Sequence, residues 1–234
     1  MTTALPKTNP ASSSTNSETR ILLQGVSWET YERLLAETDA GRHHRIADYD
    51  GILEITAPLE GHEELTRLFD QFLVAIVDEL ELEFRSLGSL TMKNAVQKKG
   101  LEPDGCFYIQ HESVVQGIDT LDFAVHPPPD LVVEVDNSNS SLNKLPIYAA
   151  LRIPEIWRLQ NGVLTIYQLN ETQSDYAATE QSLTFPQLPI RELPQFIEQA
   201  KTIGQRAAVR SLKERVRQIF ADRESPSSEI ASVD

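Results

Sequence analysis

Two groups of acids stand where acids are costly. Glu134 interrupts the apolar run Leu131-Val132-Val133-Glu134-Val135, which reads as a buried strand. A buried carboxylate is strongly unfavourable unless something pairs with it. Glu102-Pro103-Asp104 opens a second apolar run, Cys106-Phe107-Tyr108-Ile109. Asp136 closes the first run, and Lys144 follows after a short polar stretch. Two acids on two core strands, with a lysine after the second, form a cage for a divalent metal and a phosphodiester. The carboxylates offer hard oxygens to Mg²⁺ or Mn²⁺, and the lysine offers charge to a water or a phosphate.

Each residue also has a plainer reading. Glu134 could face solvent or pair with an arginine. Asp104 follows a proline, as strand-entry aspartates often do, and Asp130 could cap the turn made by Pro127-Pro128-Pro129. Lys144 could be a surface lysine. In the first turn of a helix it opposes the helix dipole at a cost of ~0.3–1 kcal/mol, which a role in holding a phosphate oxygen or a water would explain. His62 opens a helix beside Glu63 and Glu64, within reach of a site or simply solvated. The chain has no His-Glu-x-x-His, no glycine-rich phosphate loop and no Gly-x-Ser-x-Gly elbow.

Positioning these residues takes a mixed α/β (α+β) domain. Ser27 caps a helix that Gly41 stops. Asp50-Gly51 turns one hairpin and Asn161-Gly162 another. From Gly61 to Phe84, the residues Leu65, Leu68, Phe69, Phe72, Leu73, Ile76, Val77 and Leu80 make one continuous apolar stripe, the mark of a helix packed across a sheet. Strands are expected over Leu87–Val96, Glu102–Ile109, Leu131–Val135, Glu155–Leu159 and Val163–Tyr167, with an edge strand over Tyr176–Leu183. A short helix is expected from Lys144 to Leu151, and two helices from Leu193 to Lys201 and Gln205 to Phe220. The expected division is a disordered tail over 1–19, a folded domain over 20–200, a basic C-terminal helix over 201–223 and a loose tail over 224–234.

Composition narrows the partners. The 234 residues suffice for one domain with a real core. The single cysteine, Cys106, leaves no intrachain disulfide and no cysteine zinc cluster. The longest uncharged apolar stretch, near Phe72 to Val77, is far too short to span a membrane, and Met1 to Ser17 lacks an apolar signal core, so a cytoplasmic location is expected. A net charge of −14 argues against coating nucleic acid by charge alone. Yet Lys201 to Arg223 carries seven basic residues and two acids. That basic segment either meets a polyanion or an acidic partner, or is a solvated face.

Four segments in order resemble the Uma-type restriction endonuclease family of the PD-(D/E)xK nuclease superfamily. They are Glu102-Pro103-Asp104, Pro129 to Val135, Lys144-Leu145-Pro146-Ile147-Tyr148-Ala149-Ala150, and Ile153-Pro154-Glu155-Ile156-Trp157. The upstream Tyr49 to Ile55, Pro58 and His62 are similar to its N-terminal hairpin and helix. The resemblance implies a restriction-endonuclease-like fold: a mixed central sheet flanked by helices, with an N-terminal hairpin and C-terminal helices. It implies a metal-dependent endonuclease acting on DNA. Asp104 and Glu134 would ligate Mg²⁺ or Mn²⁺, and Lys144 would complete the catalytic set. Glu54, His62, Asp130 and Asp136 would stand behind them. It also implies a homodimer, and no organic cofactor. The chain departs from the superfamily pattern at Asp136, which occupies the lysine place of Glu-x-Lys. The rival reading is an inactive nuclease-fold module that works through protein contacts.

Overall fold

The computed structural model describes residues 19–38, 44–136 and 142–224. The expected stop at Gly41, both outer tails and most of the loop after Asp136 lie outside the described residues.

In chain order the elements begin with β1 (Thr19–Gln24), α1 (Trp28–Glu37), β2 (Arg45–Tyr49), β3 (Ile52–Ala57) and α2 (Glu60–Glu79). Next come β4 (Arg85–Gly88), β5 (Met92–Asn94), β6 (Lys99–Leu101), β7 (Gly105–Tyr108) and a single turn of helix, α3 (Glu112–Val115). Then follow β8 (Leu131–Asp136), α4 (Leu145–Ala150), β9 (Glu155–Gln160), β10 (Val163–Leu169) and β11 (Tyr176–Thr179). A 3₁₀ turn at Ile190–Glu192 leads into α5 (Leu193–Ile203) and α6 (Gln205–Glu224). The class is α+β, as expected.

The strands form two sheets. One has the order β1-β3-β2-β6-β5, and all its pairs are antiparallel. The other has the order β11-β10-β9-β8-β7-β4 and is mixed, because β8 and β9 run parallel through the α4 crossover. The sheet built on the N-terminal hairpin is thus larger than the hairpin alone. Both turns behave as their residue pairs require: Asp50, Gly51, Asn161 and Gly162 all have φ between 50° and 77°.

Side-chain alternation sorts the faces. Phe107, Val133, Val135, Trp157 and Leu159 pack with the apolar stripe of α2 and with α5 and α6 in the main core. On the opposite face, Val132 and Ile156 join Ala47, Ile147 and Tyr148 in a second core between the two sheets. The outer face of the first sheet holds Ile46 and Leu53 against Trp28 and Tyr31 of α1. Glu134 and Asp136 share the face of Val132 and so point into the interface between the sheets.

Several boundaries differ from expectation, each for a local reason. The helix expected to reach Phe84 ends at Glu79. Leu82 N donates to Val77 O and Glu81 N to Asp78 O, a Schellman stop with Glu81 at φ 54° where glycine is usual. The strand expected over Leu87–Val96 is two strands in two different sheets, β4 and β5, parted after Gly88 at φ 60°. The strand expected over Glu102–Ile109 begins only at Gly105, because Glu102-Pro103-Asp104 is the segment that crosses from the first sheet to the second. Thr19, assigned to the tail, already belongs to β1, an edge strand that was not anticipated. The edge strand expected to run to Leu183 ends at Thr179.

The basic C-terminal helix is docked on the chain's own body. Leu212 and Val216 enter the main core. Lys213 Nζ lies 2.9 Å from Asp78, Arg217 grips Glu79 at 2.6 and 2.8 Å, and Arg215 grips Glu192 at 2.9 and 3.0 Å. Among the described residues, no helix is long and apolar enough to cross a membrane.

Candidate active site

The crossing segment and β8 create the site together. The register Gly105↔Val133 continues by one step to set Asp104 opposite Glu134. Both are buried. Asp104 Oδ2 accepts from Val135 N at 2.7 Å, so the side chain takes over the ladder where the backbone of the crossing segment leaves it. Its Oδ1 receives Arg45 Nη1 and His62 Nε2, each at 2.9 Å. Arg45 comes from β2 and also reaches Glu63 at 3.2 Å, while His62 comes from the first turn of α2.

Glu134 is held from the α4 side. Lys144, at the N-cap of α4, donates to Oε2 at 2.7 Å, and Tyr148 O–H donates to Oε1. Pro146 in the first turn of α4 removes no helical bond, so a helix can begin close after β8 and return both donors to it. Asp136, two residues on, is gripped by Arg158 of β9, with Nε at 2.8 Å and Nη2 at 2.7 Å from Oδ2. Arg20 of β1 stands between Asp136, at 3.3 Å, and Glu54, at 3.9 Å. Glu102 is also buried, accepting from Ile46 N at 3.0 Å and Thr91 Oγ1 at 2.5 Å.

These contacts set the charge states. Burial pushes the Asp104 carboxyl up, but the His62 hydrogen bond and the charges of Arg45 and Lys144 outweigh it and hold the group below the usual carboxylate range. For Glu134 burial prevails: with the charges of Asp104 and Asp136 it raises the carboxyl, against the pull of Lys144. Burial works against the charge on Lys144, yet Glu134 and Asp104 hold its pKa above the ordinary lysine value. Tyr148 is raised well above the ordinary phenol, first by burial and then by Glu134, so it keeps its proton and donates. Environments that drive two facing carboxyls apart suit a division of labour between them.

A cavity of about 20 Å³, room for one water, lies inside this cluster and touches Asp104, Glu134, Lys144, Glu54 and His62. On the Asp104 side a groove of about 990 Å³ runs past Arg45, Glu63, Arg67, Asp70 and the 86–91 connection to Glu102 and Asp104. The structure therefore brings Asp104, Glu134, Lys144, Glu54, His62 and Asp136 together. Asp130 sits apart, at the other end of β8. It accepts from Ile109 N and His111 N at 2.7 and 3.0 Å, meets His111 Nδ1 at 2.5 Å, and caps the turn after β7.

Four residues of the cluster were not anticipated: Arg20, Arg45, Tyr148 and Arg158. Arg158 carried the same signal as Glu134, a charge inside the apolar strand Ile156-Trp157-Arg158-Leu159. Tyr148 lay inside a segment already singled out. Nothing in the sequence marks Arg20, because the strand that carries it was not apparent.

Two sheets enclosing a buried acid pair, with helices covering the far face of the mixed sheet, make this an α+β domain with a candidate active site between its sheets. The chain belongs to the Uma2 family, described as "Putative restriction endonuclease", whose model matches residues 28–201. Among solved structures the chain is similar to one titled as a putative nuclease belonging to DUF820 from Anabaena variabilis ATCC 29413. The two are 14% identical with a TM-score of 0.47, and the match covers 73% of this chain and 98% of that one. No curated protein matches the chain.

Proposed function

We propose that this chain is a metal-dependent endonuclease that hydrolyses phosphodiester bonds in DNA, with Asp104, Glu134 and Lys144 as its catalytic set. The observation that carries this reading is the buried, face-to-face pair Asp104 and Glu134, with Lys144 on the second carboxylate, at the end of a groove. The donor set fits Mg²⁺ or Mn²⁺. No three His, Cys, Asp or Glu side chains converge into a metal shell among the described residues, but Mg²⁺ is commonly held by only two carboxylates, with waters and substrate phosphate oxygens completing its sphere. When bound, the ion supplies Lewis acidity to the phosphate and makes a water more acidic.

The protein's own groups do the rest. Val135 N, Arg45 and His62 fix the Asp104 carboxylate, while Tyr148 fixes that of Glu134. Lys144 stays charged and stands beside Glu134, where it offsets charge on the reacting phosphate. The facing sheets keep bulk water away, which strengthens these interactions. Cleavage in the cytoplasm by a homodimer completes this reading.

A second reading has its own support. Asp136 fills the lysine place, and Asp104 and Glu134 are already held by protein donors, as in a nuclease-fold module that no longer cuts. Mn²⁺ calorimetry on the wild type and on Glu134→Gln separates the two. The amide keeps one acceptor oxygen, which can serve Lys144 while its NH2 donates to the Tyr148 hydroxyl oxygen. Binding to the wild type that is lost in the variant, together with Mn²⁺-dependent nicking of plasmid DNA, supports the enzyme. A wild type that binds no Mn²⁺ and leaves DNA intact supports the module.

A further inference from the structure

Two open sheets leave four edge strands among the described residues, β1 and β5 on one, β11 and β4 on the other. An edge offers unpaired N–H and C=O groups to any other strand, and shortness, lysine or an irregular register usually blunts it. β5 has three residues, one of them Lys93, and the Asn94 side chain at its end donates to Ala150 O at 3.0 Å. β4 has four residues, and its register with β7 slips between Ser86 and Gly88. β11 also has only four residues. β1 differs from all three: it has six residues, an unbroken register with β3, and no proline, lysine or bulge. Its one charge, Arg20, is turned inward to Asp136. Ile21, Leu22 and Leu23 follow one another at 42–50% exposure, so the strand is apolar and open on both faces.

The order of these residues suits a second copy of the same strand. A two-fold axis perpendicular to the sheet pairs β1 with itself antiparallel and keeps like face with like. Arg20, Leu22 and Gln24 share the face of Glu54, while Ile21 and Leu23 lie across from Ile55 and Leu53. With the axis at Leu22, Leu22 meets the partner's Leu22, Ile21 meets the partner's Leu23, and Arg20 meets the partner's Gln24. Apolar then meets apolar, polar meets polar, and the two Arg20 charges stay apart. Moving the axis by one residue in either direction sets Leu22 against the partner's Arg20 or the partner's Gln24. Residues 1–18 are a poor chemical match for the same edge: Met1 and Leu5 are their only large apolar side chains, and they include Pro6 and Pro10.

We propose that β1 is a dimerisation strand: two copies of the chain pair through it, centred on Leu22, and join their five-stranded sheets into one continuous sheet. The β3 strands of the two copies then lie roughly 14 Å apart, three strand spacings, and both acid clusters face the same side of the joined sheet. The pairing uses backbone groups and apolar side chains, and it stands independently of the nuclease reading.

The test is disulfide trapping in the full chain, with light-scattering mass recorded over a dilution series. Opposed Cα atoms of an antiparallel pair are about 4.5–5.5 Å apart, within reach of a disulfide, whereas diagonal neighbours at about 7–8 Å are not. The native Cys106 is buried, so the wild type is the silent control. Leu22→Cys is expected to form a covalent dimer under mild oxidation. Ile21→Cys and Leu23→Cys are each expected to stay single on a non-reducing gel when alone and to cross-link when mixed. Leu22→Lys sets two like charges on the axis and is expected to weaken the wild-type dimer about tenfold, with an unchanged circular dichroism spectrum. The cysteine series carries the test if that variant does not fold. A wild type that is monomeric at every concentration, a dimer indifferent to Leu22→Lys, or cross-links in another pattern would overturn the proposal. So would a monomer that dimerises once residues 1–18 are removed, because the chain's own N-terminus would then be the occupant of the edge. Mn²⁺ binding at Asp104 and Glu134 is a separate readout, so the nuclease reading fails or stands on its own.

Discussion

At the scale of single residues, the decisive quantity is how each buried polar group is satisfied. Glu134 and Tyr148 depend on each other, so Tyr148→Phe takes a donor from a buried carboxylate. The expected loss is about 1–3 kcal/mol in denaturant unfolding, with the secondary structure unchanged in circular dichroism. Asp48 is the contrasting case: it is buried on β2, and its Oδ2 has no hydrogen-bond partner among the described residues. Burial, with help from Asp50, raises its pKa to about 6. The unfolded carboxyl titrates lower, so between the two values the folded state keeps a proton that the unfolded state has lost. Stability contributed by this group is present below the unfolded value and is lost as pH rises through the folded one. Asp48→Asn is therefore expected to be more stable than the wild type by about 1 kcal/mol at pH 7 and indistinguishable from it near pH 4. Equal midpoints at both values would show that Asp48 is solvated.

At the scale of elements, the site depends on how closely the first sheet approaches its neighbours. Gly100 of β6 lies directly under the Tyr31 ring of α1. A Cβ there would come 2.3 Å from the hydroxyl oxygen and 2.8 Å from Cζ. Tyr31 is fully buried and has no room to retreat. Gly100→Ala is expected to cost about 1–3 kcal/mol by overpacking, read as a lowered urea midpoint. Gly100 is paired with Asp48 of β2, the strand that carries Arg45, so the same variant should weaken Mn²⁺ binding if that binding depends on Arg45. An unchanged midpoint would show that α1 rides loosely on the sheet. The Glu102-Pro103-Asp104 crossing works at this scale too: it gives one acid to each side of the inter-sheet boundary, Glu102 to Ile46 N and Asp104 to Val135 N.

At the scale of the whole molecule, the main core runs from β8 and β9 through α2 to α6 without interruption. The C-terminal helix contributes apolar side chains, and its exposed ion pairs add little by themselves, typically under ~1 kcal/mol each. Leu212→Ala is expected to cost about 2–5 kcal/mol, whereas Lys213→Ala should cost well under half of that. Truncation after Ile203 should lower the thermal midpoint and leave the number of chains per folded particle, read by light scattering, unchanged. A truncated chain of undiminished stability that loses an oligomer would assign α6 to a subunit interface instead.

What the sequence determined by itself was whatever rests on local periodicity and on the cost of burial. The apolar stripe of α2, the two type I′ turns, the α4 crossover and the anomaly of Glu134 could all be read within short windows, because each depends on neighbours only a few residues apart. The α+β class and the family-like segments followed from their order. Only the tertiary structure decided which buried charges meet. Arg20, Arg45, Tyr148 and Arg158 reach their acids across separations of 14 to 116 residues, or sideways between paired strands, and no local pattern encodes such a contact. The division of the 85–108 stretch between two sheets was equally hidden. A strand's affinity for one sheet or another lies in partners far along the chain, and that choice set Asp104 opposite Glu134.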